Sequence, residues 1–124
     1  MMCMKTECNP SYKILDLSFV FSIEIIKLYK ELIRHKEYVI AKQLLRSATS
    51  IGANAEEASA AISKRDFIAK MSIASKEARE SRYWLRLLDR SKLVDMDYSA
   101  YLEKIELIIN ILTKIVKTSQ LSLK

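Results

Sequence analysis

Hydrophobic residues in the middle of the chain recur at alternating steps of four and three, which is the spacing of one face of a helix that packs lengthwise against its neighbours. Most members of this face are small: Leu44, Ala48, Ile51, Ala55, Ala58 and Ile62. A polar stripe keeps the same rhythm one position earlier: Ser47, Ser50, Asn54 and Glu57. One residue turns a helix by about 100°, so this stripe is predicted to lie at the edge of the core.

The same spacing recurs in three other stretches. Together the four stretches predict helices over residues 16–35, 38–61, 64–90 and 96–117. The core face of the third is Phe67, Met71, Ala74, Ala78, Ser81, Leu85 and Leu88, and that of the last is Tyr98, Tyr101, Ile105, Ile108, Leu112 and Ile115. Short polar links between such helices favour an all-α, antiparallel up-down-up-down four-helix bundle over residues 14–118. We expect residues 1–13 to form a flexible N-terminal tail and residues 119–124 a C-terminal tail.

Residues that favour helix starts precede three of these helices. Asp16 is a candidate cap for the first, and Ser63 and Asp66 have the spacing of a capping box at the start of the third. Asp95 and Asp97 are alternative caps for the last helix.

The first helix has two apolar faces. One is Leu17, Phe21, Ile25, Leu28 and Leu32, and the other is Phe19, Ile23, Ile26 and Ile33. A helix of a monomeric bundle needs only one such stripe. Two faces predict that this helix is covered on both sides, either by an unusually deep core or by another subunit.

Composition supports an all-helical, single-domain protein. The 124 residues include one glycine and one proline, so the residues that strands and tight turns need are nearly absent. No apolar run reaches the length of a membrane span, and the best candidate, Leu17 to Ile23, is closed by Glu24. Without a secretory signal, Cys3 and Cys8 are expected to be reduced thiols of a cytoplasmic protein.

Charge is concentrated in one part of the chain. The net charge is +6, and the nine basic against four acidic residues between Ser63 and Lys92 account for +5 of it. Basic and aromatic side chains share one predicted face of the third helix: Arg65, Lys76, Arg79, Tyr83, Arg86 and Arg90. Such a face is suited to contacting phosphates and stacking on bases, but a solvated face, or one paired with acids of a neighbour, has the same pattern. Both interpretations stay open at this point.

One group of polar residues, Asn54, Glu57 and Glu77, has the composition of a catalytic or metal site. The single histidine, His35, is outside helical reach of them, and the Glu-x-x-His spacing of metal sites in bundles is missing. A hydrogen-bonded polar layer that fixes helix register or subunit contacts is therefore the favoured interpretation. No nucleophile has a partner histidine at a known spacing, and no glycine-rich phosphate loop is present, so we expect no enzymatic activity, metal or cofactor.

Several stretches resemble one family of bacterial proteins. They are Leu45-Arg46-Ser47, Ser50-Ile51-x-x-Asn54-x-x-Glu57, Phe67, and the run from Ser75-Lys76-Glu77 through Tyr83-Trp84-Leu85 to Leu88. They resemble the four-helix-bundle proteins first noted as products of intervening sequences inside 23S ribosomal RNA genes. That family is similar to the accessory variability protein of diversity-generating retroelements, a basic bundle that works with a reverse transcriptase.

The resemblance implies a small cytoplasmic bundle that assembles into a closed ring, typically a pentamer, with a role linked to RNA and no enzymatic activity. It also marks Arg46, Ser47, Ser50, Asn54, Glu57 and Glu77 as signature positions. Gly52 stands where proline is common in the family, and Ala58 where glycine is common, so we expect a straighter end of the second helix.

The leading hypothesis is a homo-oligomeric ring of four-helix bundles whose third helix binds RNA or another nucleic acid. The ring would close through apolar faces of the first and last helices. The competing hypothesis is a protein–protein adaptor or structural scaffold, in which the arginines pair with acids of a protein partner. Neither hypothesis involves a membrane.

Overall fold

The computed structural model describes residues 10–123, which form a bundle of four helices. They are α1 (Pro10–Arg34), α2 (Val39–Ser59), α3 (Lys64–Ser91) and α4 (Ser99–Leu123). Each helix packs along its neighbours in sequence, most extensively α2 along α3, and α1 also contacts α4. Cys3, Cys8 and the rest of the predicted tail up to residue 9 lie outside the described residues.

Side chains in the links start α2, α3 and α4. The Glu37 carboxylate accepts hydrogen bonds from the Ile40 and Ala41 amides, at 2.6 and 3.4 Å, before α2. Ser63 Oγ accepts from the Asp66 amide at 3.1 Å, which confirms the predicted cap of α3. Asp97, and not Asp95, starts α4, because its Oδ1 accepts from the Ser99 amide at 2.9 Å. That bond lowers the pKa of Asp97.

Lysines occupy the left-handed positions that end α1 and α3. Lys36 has φ 65° and Lys92 has φ 56°. After α1, the Lys36 amide donates to the Ile33 carbonyl at 2.8 Å and the Glu37 amide to the Leu32 carbonyl at 2.9 Å. This pair of hydrogen bonds is the Schellman motif, in which glycine usually occupies the left-handed position.

The predicted core faces are buried almost throughout. Leu44, Ala48, Ile51, Ala55 and Ala58 of α2 are at most 2% exposed. The corresponding faces of α3 and α4 are buried too, except that Phe67 and Tyr101 are only partly covered. The small residues Ala74 and Ala78 of α3 are fully buried. Small side chains on both helices permit their close approach.

The prediction that Ile62 belongs to the core face of α2 is wrong, since its side chain is 95% exposed. The helix ends at Ser59, three residues earlier. The Ala60 and Ala61 amides donate to the carbonyls three residues back, both at 3.1 Å, which tightens the last turn and takes the chain off the helical path. Ile62 therefore lies in the link between α2 and α3.

Two helices extend further than predicted. α1 begins at Pro10 and not at residue 16, so Asp16 is an exposed residue within the helix and the prediction of a cap there is wrong. Proline suits a first helical position, and Ile14 is fully buried, so the first turns of α1 belong to the bundle. α4 continues to Leu123, where Lys64 Nζ of α3 donates to Ser122 Oγ at 2.8 Å.

The second apolar face of α1 lies on the surface of the single chain. Phe19 is 67% exposed, Ile23 40% and Ile26 43%, whereas Ile33 packs partly against the core. A deep core within one bundle is therefore not what covers this face.

None of the helices in the described part of the chain is both long and apolar enough to cross a membrane.

Candidate nucleic-acid interface

The predicted basic face is an exposed surface along α3. Arg65, Lys76, Arg86 and Arg90 are exposed, and none of them forms an ion pair within residues 10–123. Arg79 is exposed too, and its Nη2 donates to Thr113 Oγ1 of α4 at 3.1 Å. From position 79 to position 90 the face runs about 16 Å along the helix. We call Arg65, Lys76, Arg79, Tyr83, Arg86 and Arg90 the basic face.

Tyr83 lies among these cations and is 57% exposed. Its ring meets that of Trp84 edge to face, with centroids 5.0 Å apart and planes at 71°. Trp84 packs partly against the core, and its Nε1 donates to Glu80 Oε2 at 3.0 Å. An edge-to-face contact leaves at least one face of the phenol ring uncovered by Trp84. Tyr83 therefore presents a supported aromatic surface between Arg79 and Arg86.

Two acidic side chains of α3, Glu77 and Glu80, are held on the side that faces α2. Arg46 of α2 donates to Glu77 Oε1 at 3.3 Å and to Glu80 Oε2. The hydrogen bond from Trp84 is the largest influence that lowers the pKa of Glu80; burial opposes it and Arg46 adds to it. The bond to Glu80 in turn raises the pKa of Arg46. These carboxylates are thus paired with Arg46 and do not neutralise the basic face.

One further arginine of α3 is paired and lies outside the basic face. Arg82 Nη1 contacts both carboxylate oxygens of Glu106 at 3.0 Å. The positive surface is therefore formed by the cations at the predicted positions and not by every arginine of the segment.

The signature residues of α2 and α3 form several separate contacts. Ser47 Oγ and Ser81 Oγ are 2.8 Å apart across the buried interface of α2 and α3. Asn54 Nδ2 donates to the carbonyl and hydroxyl oxygens of Ser50, at 2.9 and 3.0 Å, within α2. These two contacts lock neighbouring turns and helices together.

The two signature carboxylates have different partners. Glu57 pairs with Lys70 Nζ at 2.8 Å, whereas Glu77 pairs with Arg46. The structure thus does not gather Asn54, Glu57 and Glu77 into one cluster, and their contacts tie α2 to α3.

Within residues 10–123, no three His, Cys, Asp or Glu side chains are grouped so as to hold a metal ion. His35 lies just after α1, where its Nδ1 is 3.0 Å from the Glu31 carbonyl oxygen.

Two residues of α4 at the interface were missed by the sequence interpretation. Thr113 and Lys117 line a groove with Ser72, Ser75 and Arg79 of α3. Their spacing of four places them on one side of α4. Periodicity within one helix does not say which side chains of a neighbouring helix they meet, so only the packed structure shows this groove.

Comparisons with known proteins identify the fold and the family. A family model described as 23S rRNA-intervening sequence protein matches residues 11–114. The fold is also that of a crystal structure from Bacteroides thetaiotaomicron, described as a protein with unknown function from the S23 ribosomal protein family. The two chains are 42% identical, and the alignment covers 88% of this chain and 99% of that one with a TM-score of 0.83. No curated protein matches the chain significantly. The chain therefore belongs to the 23S rRNA-intervening sequence protein family.

Proposed function

We propose that this protein is a non-enzymatic, homo-oligomeric four-helix bundle of the bacterial cytoplasm that binds RNA through the basic face of α3. The observation that carries the proposal is the combination, on one helix face, of exposed cations that form no ion pair within residues 10–123 with an exposed aromatic ring. Guanidinium groups bind phosphates through several donors, and an aromatic ring stacks on any base. The family name makes ribosomal RNA the first polyanion to test.

The proposal includes an antiparallel order of the helices. Contacts between α2 and α3 pair position 57 with 70 and position 46 with 80. Contacts between α3 and α4 pair position 64 with 122 and position 82 with 106. In each pair of helices, the residue numbers of the contacts increase along one helix as they decrease along the other. This pattern supports neighbouring helices that run in opposite directions.

The binding that we propose is mainly electrostatic. If four of the exposed cations contact phosphates of single-stranded RNA, the logarithm of affinity is expected to fall with the logarithm of salt concentration with a slope of about −3. Contacts of this kind fix position along the backbone but do not read sequence. Stacking on Tyr83 would add affinity for unpaired bases.

Exposed apolar side chains support the homo-oligomer. Phe19, Ile23 and Ile26 form one apolar strip on α1, and Leu107 of α4 is 45% exposed. The Glu24 carboxylate and Lys104 Nζ, 3.0 Å apart, join these two helices beside the strip. Isologous or ring contacts between identical chains would bury such side chains. By the family resemblance we propose a closed ring, with a pentamer as the expected size.

A protein–protein adaptor or structural scaffold is the competing function. In that case acids of a protein partner would neutralise the basic face, in the way that Glu77 and Glu80 already neutralise Arg46. The same cations would be used, but no nucleic acid would accompany the protein.

Isolation of the protein from its own host at low salt separates the two functions. We expect the isolated protein to show the ultraviolet absorbance of bound nucleic acid. Ribonuclease, but not deoxyribonuclease, is expected to remove this absorbance. Washing at high salt is the matched control and is expected to remove the same material. Isolation of the protein with a stoichiometric acidic protein and without nucleic acid would contradict RNA binding and support the adaptor.

A further inference from the structure

The groove between α3 and α4 is lined by three hydroxyl residues, two cationic residues and one valine, with no acidic residue among them, and most of its lining surface is apolar. Its walls are Ser72, Ser75 and Arg79 of α3 and Thr113, Val116 and Lys117 of α4, and its volume is about 220 Å³. It adjoins the basic face, with which it shares Arg79. The groove is therefore a recess at the edge of a positively charged surface.

The two serines of the groove differ from most other helical serines of this protein. Ser22, Ser59 and Ser81 each donate to a backbone carbonyl three or four residues earlier, at 2.7 to 2.9 Å. Ser72 and Ser75 are partly exposed, and neither hydroxyl forms a hydrogen bond within the described part of the chain. Since no buried side-chain polar atom there lacks a partner, both hydroxyls face solvent. Both hydroxyls are thus available to a molecule that enters the groove.

Two cations, Arg79 and Lys117, line the groove, and Arg79 is held in place by a hydrogen bond. The 3.1 Å bond from Arg79 Nη2 to Thr113 Oγ1 fixes the guanidinium against α4 and leaves most of its five N–H donors unused. Lys117 lies one turn beyond Thr113 and forms no ion pair within residues 10–123. An ammonium, a guanidinium and two hydroxyls, with no carboxylate among them, match the charge and the several acceptor oxygens of a phosphate group.

We propose that this groove is a phosphate-binding site formed by Ser72, Ser75, Arg79 and Lys117. The assignment of that phosphate to an RNA backbone rests on the proposed function. Bound there, one phosphate would anchor the strand beside α4, and the following nucleotides would pass along the basic face toward Tyr83 and Arg86. The site itself requires only a phosphate group, so a free phosphate compound has the same chemistry.

The first experiment uses inorganic phosphate and the full-length protein. Amide resonances of residues 72, 75 and 113 are followed by NMR as phosphate is added, with sodium chloride at the same ionic strength as the reference. We expect saturable shifts with phosphate alone. Arg79→Gln is expected to weaken this binding at least about tenfold. Lys42→Gln, which removes one positive charge at an exposed position of α2, is expected to leave it unchanged. Equal shifts in phosphate and chloride would overturn the proposal.

Charge-neutral variants test the hydroxyls. The double substitution Ser72→Ala and Ser75→Ala removes two donors without altering net charge, and alanine is the better helix former, so the protein is expected to fold. Ser59→Ala, at an exposed serine outside the groove, is the matched control. We expect weaker phosphate binding only in the double variant. Unchanged phosphate binding there would contradict the site as assigned.

The second experiment repeats the series with a short single-stranded RNA and distinguishes the two sources of phosphate. Weaker RNA binding in the Ser72 and Ser75 variant than in Ser59→Ala supports the groove as the backbone anchor. RNA binding that is equal in both overturns this inference and leaves the proposed function standing. Saturable phosphate binding without any RNA binding supports the site for a free phosphate compound and contradicts the proposed function.

Discussion

Ser47 and Ser81 share a hydrogen bond across the buried interface of α2 and α3, with their hydroxyl oxygens 2.8 Å apart and both residues fully buried. Ser81 also donates to the Glu77 carbonyl at 2.9 Å. Ser47→Ala removes one partner and leaves a buried hydroxyl underused, so we expect a loss of about 1 kcal/mol in the free energy of unfolding. Because the double alanine variant removes both hydroxyls, its loss should be smaller than the sum of the single losses. Urea unfolding of Ser47→Ala, Ser81→Ala and the double variant measures these losses, and strictly additive losses would contradict the shared hydrogen bond.

Glu80 contributes stability that depends on pH. Its folded pKa is lowered from the ordinary value of 4.5, chiefly by the hydrogen bond from Trp84 and further by Arg46. A lowered folded pKa stabilises the protein above the unfolded pKa, and this contribution is lost as the pH falls through the folded value. The Glu80 side chain is 35% exposed, so we expect Glu80→Gln to cost less than about 1 kcal/mol at neutral pH.

The check is urea unfolding at neutral pH and at a pH well below 4.5. The difference between wild type and Glu80→Gln should be present at neutral pH and should close in acid. Glu103→Gln, at an exposed residue of α4, is the control and is expected to change little at either pH. A difference that persists unchanged in acid would exclude the charge of Glu80 as its cause.

Gly52 and Lys36 occupy backbone positions where a different residue is expected to make the protein more stable. A Cβ added to Gly52, inside α2, would meet its nearest atoms at 3.5 to 3.6 Å, which is ordinary contact. Lys36 has the positive φ that glycine adopts without cost. We therefore expect Gly52→Ala and Lys36→Gly each to raise the free energy of unfolding by about 0.5–1 kcal/mol. Thermal or urea unfolding gives the values, and destabilisation by Gly52→Ala would show that Ser18 and Ser22 require the glycine.

Self-association is expected to depend on the exposed apolar strip of α1. The wild-type chain should have the mass of a closed oligomer in light scattering at micromolar concentration. The double substitution Phe19→Glu and Ile23→Glu should reduce this to the 14.3 kDa of one chain, because buried charges without partners are unfavourable. Ile62→Glu is the matched control, since Ile62 is 95% exposed in the link after α2. A monodisperse wild-type monomer would rule out the ring.

Much of the fold follows from periodicity, whereas its ends and cross-contacts do not. The spacing of Leu44, Ala48 and Ile51 predicts their burial because an interior helix face repeats every three or four residues. The same rule wrongly continues to Ile62, because it contains no information on where the backbone leaves the helix. The left-handed turn at Lys36 is similarly unmarked, since glycine is the residue that usually signals it.

The candidate interface was predictable only in part. The basic face could be recognised because its members lie on one helix, three and four residues apart. The contact of Arg79 with Thr113 joins residues of two helices, so it depends on how α3 and α4 are rotated against each other. The same holds for Arg46, whose pairing with Glu77 and Glu80 keeps two acids away from the basic face.

The most direct test of the central claim is the affinity of the protein for fluorescently labelled 23S ribosomal RNA fragments, measured by anisotropy over a range of salt concentrations. The triple substitution of Arg79, Arg86 and Arg90 by Glu is compared with Lys30, Lys36 and Lys42 replaced by Glu, which changes net charge equally at exposed positions outside α3. We predict salt-sensitive binding that the arginine variant loses and the lysine variant largely retains. Absence of wild-type binding at low salt, or equal losses in the two variants, would contradict RNA binding through the basic face.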